Sequence, residues 1–310
     1  MSSASQNFGQ ADLSGNPKSL FGHEVIDLIG EGAGSLIYVV SHPVTKQLYA
    51  LKHVVRKTEK DERFIDQLEA EFEVGSKVNH PGLRRSIDLK INRNLLRRPT
   101  EAALILELFD GISLESHTPR LLTDIVNAFV QTAQALAALH RLGYVHCDLK
   151  PNNILRDNAT GKVKVIDLGQ AAKNGTVKTR IQGTPDYMAP EQVKCEPVTF
   201  KTDVFNFGAT MYFALCAKKL PTLFTIKRGD NSFLVDSKIE TPRDCNPLIP
   251  ETLSNLVMEC VRTSQAKRPE DMAELTRRLE IIEHTLHRDA HKRAATQNSS
   301  GRSRMGVSVA

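Results

Sequence analysis

Short apolar runs separated by turn residues occupy the first third of the chain. Between Phe21 and about Phe109, four such runs have the sequences EVIDLIG, SLIYVV, QLYALKHVV and AALILEL. β-Branched and aliphatic residues in runs of this length predict β-strands. One stretch in this region, from about Asp61 to Val78, has apolar residues three and four positions apart and predicts a helix. We therefore expect the N-terminal part to be a small sheet with one helix.

After about Gly111 the apolar spacing becomes that of helices. Residues 121–141 follow this pattern throughout. Later stretches with the same pattern are 203–217, 250–262 and 269–287. Two short strand-like runs, NNILRD and KVKVIDL, flank a turn at residues 158–161. Strands followed by helices predict an α+β protein whose two lobes join near Glu107–Gly111.

The composition narrows the class of protein. The chain has 310 residues, of which 40% are apolar and 25% charged, as expected for a globular protein with a sizeable core. No apolar run approaches the roughly 18 residues that a membrane helix needs. Residues 1–10 lack the basic start and the apolar stretch of a secretory signal. The five cysteines are scattered without metal-ligand spacing, so we expect a reduced, cytoplasmic protein.

The net charge of +5 comes mainly from the C-terminus. Residues 288–310 contain five Lys or Arg and one Asp, and so contribute +4 of the total. The rest of the chain is nearly neutral, which argues against a nucleic-acid-binding surface. Residues 1–20 and 288–310 are polar and lack periodicity, so we expect both ends to be disordered.

A glycine-rich turn lies between the first two predicted strands. Its sequence, GEGAGS at residues 30–35, allows the backbone to approach a ligand closely and to point N–H groups at phosphate. An ordinary hairpin turn would have the same composition. The dinucleotide-binding fingerprint does not apply, because a strand rather than a helix follows.

A lysine lies inside the next apolar strand, in the run YALK. If Lys52 faces inward, its amine needs an anionic partner, and the predicted helix offers Glu69, Glu71 and Glu73. The apolar stripe of that helix consists of Phe64, Leu68, Phe72 and Gly75. At 100° per residue, Glu71 lies within about 60° of the centre of this stripe, whereas the other two glutamates point away. We therefore expect Glu71 to pair with Lys52.

Two carboxylates, an amide and a second lysine occur close together further along the chain. The stretch HCDLKPNN at residues 146–153 contains Asp148, Lys150 and Asn153, and VIDLG follows with Asp167. These groups are suited to hold magnesium and phosphate oxygens. Together with the glycine turn, the strand lysine and the later segment GTPDYMAPE, they occur in the order typical of eukaryotic-type protein kinases. The chain resembles this family over about residues 21–287.

The resemblance implies a two-lobed protein kinase fold of the α+β class. The N-lobe, a small antiparallel β-sheet with one helix, would span residues 21–109. The larger, mainly helical C-lobe would span residues 110–287. A disordered segment, 1–20, would precede the domain, and a basic disordered tail, 288–310, would follow it.

The resemblance also implies roles for the residues of the cleft. Asp148 would orient the acceptor hydroxyl and take its proton, and Lys150 would steady the γ-phosphate. Lys52, braced by Glu71, would hold the α- and β-phosphates. The residues expected to contact ATP are Ile29, Gly30, Glu31, Gly32, Ala33, Gly34, Ser35, Ile37, Ala50, Lys52, Leu106, Glu107, Phe109 and Leu155.

The implied cofactors are ATP and Mg²⁺, with Asn153 and Asp167 as the metal ligands. The segments DLKPNN and GTPDYMAPE are typical of serine/threonine rather than tyrosine kinases. The expected reaction is therefore transfer of the γ-phosphate of ATP to Ser or Thr hydroxyls of protein substrates. Hydroxyls of the basic tail are candidate sites of autophosphorylation. We expect neither a membrane span nor a nucleic-acid partner.

Among the departures from the family pattern, two bear on regulation. Cys147 replaces an arginine that commonly pairs with a phosphorylated activation-segment residue, and cysteine cannot form such a charge-assisted pair. We therefore expect activity without phosphate on Thr176 or Thr179, and we expect Cys147 to be a small buried residue rather than a redox centre. Gly75 replaces a bulky apolar residue, and glycine inside a helix costs about 1 kcal/mol relative to Ala. This suggests a helix that swings easily, and predicts that Gly75→Leu raises basal activity.

Two other classes of protein would differ from this sequence in identifiable residues. A pseudokinase scaffold or nucleotide-binding regulatory module would be expected to have lost one of Lys52, Asp148, Asn153 or Asp167, and all four are present. A small-molecule kinase of related fold would lack the GTPDYMAPE segment and Arg268. Within the kinase interpretation, Glu191 and Arg268 are expected to form a buried ion pair.

Overall fold

The N-terminal lobe is a six-stranded antiparallel sheet that carries one helix. The structure, a computed structural model, describes residues 17–32, 34–225 and 239–304, with side chains as far as Lys292. The strands are β1 (Ser19–Leu20), β2 (His23–Gly32), β3 (Ser35–Ser41), β4 (Leu48–Val55), β5 (Ser86–Arg93) and β6 (Pro99–Glu107). Their order in the sheet is β1-β2-β3-β4-β6-β5. The helix α1 (Glu62–Gly75) follows a short 3₁₀ turn, Glu59–Asp61.

Alternation along the strands divides the sheet into two faces, because successive side chains point to opposite sides. On one face Ala50 and Val54 of β4 pack with Ile65 and Leu68 of α1. On the other face Leu51 packs in a separate cluster, which includes Tyr38, Val40, Ala103 and Ile105. Lys52 has the same parity as Ala50 and Val54. The alternation therefore directs its amine towards α1.

The helix α1 buries a face that includes a carboxylate. Its buried residues are Ile65, Leu68, Glu71, Val74 and Gly75, whereas Phe64 and Phe72 are only partly buried. The buried face is thus rotated from the stripe predicted from the sequence, and Glu71 lies within it rather than at its margin. A buried carboxylate needs a cationic partner.

The C-terminal lobe is built mainly of helices. These are α2 (Leu122–Arg141), α3 (Pro190–Val193), α4 (Phe200–Cys216), α5 (Pro242–Cys245), α6 (Glu251–Cys260) and α7 (Met272–Arg304). Helix α2 packs against α4 and α7, and Phe129 and Phe207 meet edge to face with ring centroids 5.3 Å apart. This is the α+β, two-lobed architecture that the sequence predicts.

Five short strands and three 3₁₀ turns complete the described part of this lobe. The strands are β7 (Ile112–Ser113), β8 (Tyr144–Val145), β9 (Ile154–Arg156), β10 (Val163–Val165) and β11 (Ala172–Lys173). The turns are Pro151–Asn153, Pro185–Tyr187 and Gln265–Lys267. Strands β10, β9 and β7 form one small antiparallel sheet and β11 with β8 another. The predicted catalytic stretch, HCDLKPNN at residues 146–153, lies between β8 and β9, and Asp167 follows β10.

Three elements differ from the sequence-based expectation. Strand β5 was not predicted, although Ile87, Leu89 and Ile91 alternate with polar residues as in a half-buried strand. Residues 1–20 were expected to be disordered, yet Ser19–Leu20 pairs with β2; residues 1–16 lie outside the described part. Helix α7 continues to Arg304, into the predicted disordered tail, because no proline interrupts it and alanines favour the helix.

The end of α1 lies unusually close to β5. A Cβ atom added to Gly75 would lie 2.1 Å from Ser86 Oγ and 2.9 Å from Ser86 Cβ. The Ser86 hydroxyl also donates a hydrogen bond of 3.2 Å to the carbonyl oxygen of Glu71. Gly75 therefore permits close packing of helix on strand. This contradicts the expectation that a leucine could replace it, because there is no space for the side chain.

Gly75→Ala is expected to lower the free energy of unfolding by about 1–3 kcal/mol, because forcing extra atoms into a packed contact costs that much. Denaturant unfolding measures the change. Ser76→Ala, at the exposed next position, is the matched control and should leave stability nearly unchanged. Combining Gly75→Ala with Ser86→Gly should recover part of the loss. Equal stability of the Gly75→Ala and Ser76→Ala variants would contradict the close contact.

Candidate active site

A lysine and two carboxylates from distant parts of the chain meet between the lobes. Lys52 Nζ lies 2.7 Å from Glu71 Oε2 and 2.9 Å from Asp167 Oδ1. The side chain of Glu71 is 2% exposed and that of Lys52 is 14% exposed. Of the three glutamates considered from the sequence, Glu71 is the one that contacts the lysine. Glu69 and Glu73 instead form ion pairs on the outside of α1.

The charges of this cluster stabilise one another against burial. Burial alone would raise the pKa of Asp167, but the charge and hydrogen bond of Lys52 outweigh it and hold this pKa well below its usual range. Burial alone would lower the pKa of Lys52, but Asp167 and Glu71 raise it. The amine and the Asp167 carboxylate are thus both charged at neutral pH.

A second cation, not anticipated from the sequence, contacts the same glutamate. Arg84 Nη2 lies 3.6 Å from Glu71 Oε1, and the arginine side chain is 7% exposed. Its charge also helps to lower the pKa of Asp167. The sequence feature that could have indicated it is the pair Arg84-Arg85 directly before a strand. Because side chains alternate along a strand, one of the two arginines would be buried.

The catalytic stretch forms a closed set of hydrogen bonds around Asp148. Lys150 Nζ donates to Asp148 Oδ2 at 3.0 Å and to Thr184 Oγ1 at 2.8 Å, and Thr184 Oγ1 donates to Asp148 Oδ1 at 2.8 Å. Asp148 is buried, with 9% of the residue exposed. Thr184, in the GTPDYMAPE segment, is therefore a direct neighbour of Asp148. From the sequence, this threonine indicates the acceptor class but is not among the predicted site residues.

A buried aspartate fixes the backbone of this stretch. Asp203 accepts hydrogen bonds from the backbone N–H groups of His146, at 2.7 Å, and Cys147, at 2.9 Å. Its Oδ2 also lies 2.8 Å from Nε2 of His140. Cys147 has a φ of 65° and Asp167 the same value. Such left-handed conformations are rare for residues with a side chain and concentrate at functional sites.

Asn153 is held between the catalytic stretch and the strand that leads to Asp167. Its Nδ2 donates to the carbonyl of Asp148 at 2.8 Å, and its own carbonyl accepts from the N–H of Ile166 at 2.9 Å. Its Oδ1 has no hydrogen-bond partner among the described residues and could bind a cation. An amide oxygen and a carboxylate are hard oxygen donors of the kind that Mg²⁺ prefers. The residues present therefore fit the expected metal.

The predicted nucleotide-contacting residues lie on both sides of the cleft. Gly32 pairs with Ser35 across the hairpin turn, where Gly34 has a φ of 83°; Ala33 lies outside the described residues. A cavity of about 270 Å³ lies beside this turn. Its lining includes Glu31, Gly32, Gly34, Ser35, His53 and Phe64.

The apolar members of the set differ in burial. Ala50 and Leu106 are buried and pair with each other across β4 and β6. Ile37 pairs with Lys52, and Leu155 lies in β9 of the other lobe. Ile29 is 52% exposed, which is high for an isoleucine beside a glycine turn. The assignment of these residues to ATP contact stays a prediction.

An ion pair joins the linker between the lobes to the C-terminal lobe. Lys164 Nζ in β10 donates to Glu107 Oε1 at 2.7 Å and lies 5.6 Å from the ring centroid of Phe109. The backbone N–H of Arg85 donates to the other carboxylate oxygen at 3.3 Å. The side chain of Glu107 thus connects both lobes beside Phe109, another residue predicted to contact ATP.

The predicted activation segment, which ends in GTPDYMAPE at residues 183–191, is anchored by a buried ion pair. Arg268 Nη1 and Nη2 donate to Glu191 Oε1 and Oε2 at 2.7 and 3.0 Å. Thr202 Oγ1 also donates to Glu191 Oε1, at 2.9 Å. This is the pair expected from the sequence, and its bidentate geometry is the strong form of an arginine–carboxylate contact.

A network of neutral side chains connects the activation segment to the catalytic stretch. Gln192 Nε2 donates to the carbonyl of Cys147 at 2.7 Å, and Gln192 Oε1 accepts from the N–H of Ala189 at 3.0 Å. Asn206 Nδ2 in α4 donates to Gln192 Oε1 at 3.0 Å and to the carbonyl of Tyr187 at 2.6 Å. Both amides are buried. Neither residue is predicted from the sequence to belong to the site.

Cys147 itself is buried among apolar side chains. It packs with Val145, Ala172 and Val198 and is 2% exposed. Burial raises the pKa of its thiol, and Asp203 adds to the effect. The sequence-based interpretation of a small buried residue agrees with this environment.

Comparison with known proteins identifies the family. The family model described as the protein kinase domain matches residues 23–299. The chain belongs to the protein kinase family. Within the described residues, no helix of this kinase domain combines the length and apolar character needed to cross a bilayer.

Several curated relatives are similar over much of the chain. Myosin light chain kinase A of Dictyostelium discoideum is 31% identical over 205 residues, which cover 63% of this chain and 66% of the relative. The serine/threonine-protein kinase PknA of Mycobacterium tuberculosis is 31% identical over 247 residues, which cover 77% of this chain and 54% of the relative. PrkC of Bacillus subtilis is 26% identical over 247 residues, which cover 76% of this chain and 37% of the relative. The chain thus spans about one third to two thirds of the length of these relatives.

The thiols of this kinase domain should differ in reactivity. Burial raises the pKa of Cys147 and Cys260, so little reactive thiolate forms there, whereas Cys195 is partly exposed. Alkylation of the native protein with iodoacetamide, followed by mass spectrometry, should label Cys195 well before the two buried residues. The same treatment of unfolded protein is the control and should label all five cysteines. Labelling of native Cys147 at the rate of Cys195 would contradict its burial.

Proposed function

We propose that the protein is an ATP- and Mg²⁺-dependent serine/threonine protein kinase, which transfers the γ-phosphate of ATP to Ser or Thr hydroxyls of protein substrates. The observation that carries the proposal is the contact of Lys52 Nζ with both Glu71 and Asp167, at 2.7 and 2.9 Å. This contact can form only when the two lobes are correctly placed relative to each other. It also places a fixed positive charge beside a carboxylate suited to a metal.

Each polar group of the site has a task in such a reaction. Phosphoryl transfer depends mainly on positioning and on electrostatic stabilisation of charge spread over the transferred group. Lys52 would hold the α- and β-phosphates, with Glu71 fixing the direction of the amine. Asn153 and Asp167 would hold magnesium, which when bound neutralises charge on the phosphates.

The group around Asp148 would act on the acceptor. Asp148 would orient the substrate hydroxyl and accept its proton, because its carboxylate is fixed by Lys150 and Thr184 on separate oxygens. Lys150 Nζ would steady the γ-phosphate. Serine or threonine as acceptor is supported by the DLKPNN and GTPDYMAPE segments, and by the names of relatives such as PknA and PrkC.

The site favours catalysis over a scaffold function. A pseudokinase would be free to lose its charged groups, but Lys52, Asp148, Asn153 and Asp167 are all present and engaged in mutual or backbone contacts. Buried charges are costly unless they are paired, so keeping this cluster without a function would bring no benefit.

We further propose that the activation segment is ordered without phosphorylation. In place of an arginine–phosphate pair, the buried amide of Gln192 connects the carbonyl of Cys147 to the N–H of Ala189. Asn206 fixes this amide by donating a hydrogen bond to Gln192 Oε1. Hydrogen bonds between neutral groups need no added charge. They would therefore persist whether or not Thr176 or Thr179 carries a phosphate.

Asp148→Asn is expected to lower the rate of Mg²⁺-dependent phosphorylation by about 10²-fold or more, because general acid–base groups contribute about 10²–10⁴-fold. Transfer of labelled phosphate from ATP to a generic protein substrate or to the chain itself measures the rate. Asp289→Asn, which changes an exposed carboxylate on α7, is the control and should match wild type.

Phosphoamino-acid analysis of the same products should show phosphoserine and phosphothreonine. Phosphotyrosine alone would contradict the proposed acceptor class. Lack of phosphate transfer by the wild-type chain with several substrates, together with unimpaired binding of ATP, would support the scaffold alternative.

A double variant, Thr176→Ala/Thr179→Ala, should retain activity within about twofold of wild type, since Cys147 offers no charged partner for a phosphate. Gln192→Met should instead reduce both activity and stability, because leaving buried polar groups unpaired costs about 1–3 kcal/mol each. Initial rates on one protein substrate and denaturant unfolding measure the two effects. Loss of activity in the threonine variant would overturn phosphate independence.

A further inference from the structure

A short segment before β5 joins both lobes to the helix α1. The backbone N–H of Arg84 donates to the carbonyl of Val165 at 2.9 Å, and the N–H of Val165 donates to the carbonyl of Gly82 at 2.7 Å. Residues 82–84 are therefore held against β10, the strand that leads to Asp167. Two residues later, Ser86 touches α1 at Gly75 and at the carbonyl of Glu71.

The side chain of Arg84 completes this connection. Its guanidinium reaches Glu71 from the side opposite to the lysine: Nη2 lies 3.6 Å from Oε1, whereas Lys52 Nζ contacts Oε2. The two cations thus use different oxygens of one carboxylate and do not compete for the same atom. Two cations and two carboxylates, Glu71 and Asp167, balance in charge within this cluster, in which only the Asp167 side chain, at 36%, is substantially exposed.

The burial of Arg84 is expensive, and its hydrogen-bonding groups are not all satisfied. Its Nε is buried without a hydrogen-bond partner among the described residues. Burying a charged group is unfavourable unless it is paired. Because burying this charge is costly, stability alone does not account for an arginine at this position.

We propose that Arg84 is a positioning residue that keeps Glu71, and with it α1, fixed to the strand leading to Asp167. Because the backbone of Arg84 is hydrogen-bonded to β10 and its side chain forms an ion pair with Glu71, one short segment links α1 to the strand that leads to Asp167. The Lys52–Glu71 pair then forms without a partner protein or a phosphate acting on α1. This inference rests on the proposed function, and identifies how that site is regulated: its helix is held permanently inward.

The inference predicts a charge requirement at position 84. Arg84→Met should lower kcat by roughly ten- to a hundredfold, since small displacements of positioning groups can cost about 10²-fold. The KM for the protein substrate should change little, because the acceptor site around Asp148 is untouched. Arg84→Lys, which keeps a cation of similar length, should recover a substantial part of kcat.

A matched control is available on the exposed side of the same helix. Arg93 of β5 lies 3.8 Å from Glu69 of α1, with both side chains 47% exposed. Arg93→Met removes an arginine–glutamate contact between the same two elements without touching the buried cluster. It should leave kcat and KM close to wild type. A kcat for Arg84→Met equal to that of Arg93→Met would overturn the inference.

A double-mutant cycle with Glu71→Gln tests whether Arg84 acts through the glutamate. In the Glu71→Gln background, Arg84→Met should change kcat less than twofold, because the charge of Glu71 that Arg84 pairs with is already lost. The double variant removes the charges of both Arg84 and Glu71, so neither is left buried without the other. It should therefore fold even if Arg84→Met alone does not. Independent, multiplicative effects of the two substitutions would overturn the inference.

The same four proteins separate this inference from the proposed function. If wild type phosphorylates substrates and the cycle shows no coupling, the function stands and the role of Arg84 fails. If wild type transfers no phosphate, the function fails, and denaturant unfolding of the four proteins still measures the coupling. Non-additive changes in unfolding midpoint support the contact, and additive changes overturn it.

Discussion

The structure depends on placing one amine where two carboxylates from different lobes can share it. Lys52 lies in a strand whose neighbours are apolar, so its charge must be compensated inside the protein. Glu71 comes from the helix that the strand faces, and Asp167 comes from the far side of the cleft. Charge compensation therefore requires the sheet, the helix and the C-terminal lobe to be correctly placed at the same time. Misplacing any one of them would leave a buried charge without a partner.

Much of this arrangement could be predicted from the sequence, because it is encoded locally. Alternation in YALKHVV places Lys52 on the helix-facing side, and helical spacing selects Glu71 over its neighbours. The order of short charged motifs identifies the family, which the comparison confirmed. Asp148, Asn153 and Asp167 could be proposed because each lies in a short recognisable segment.

The site residues that could not be predicted depend on contacts between segments that carry no recognisable motif in the sequence. From the sequence alone, Arg84 is expected to be exposed, because β5 is not predicted. Gly75 is expected to destabilise its helix, because the close contact with Ser86 is not visible in the sequence. Gln192 and Asn206 belong to helical segments in which a polar residue is unremarkable. Their function comes from facing one another across 14 residues of sequence, which periodicity does not reveal.

The pair of Lys164 and Glu107 has a consequence for how the two lobes can move. It lies beside the single covalent connection between them, and the backbone of residues 82–84 is bonded to β10 nearby. Contacts at one edge of a cleft can act as a pivot: when the Lys52–Asp167 contact across the cleft breaks, the far edge can open by rotation while the near edge keeps its distances. Admission of a nucleotide would then proceed as a hinged rotation about this edge, with the glycine turn travelling furthest and the linker hardly at all.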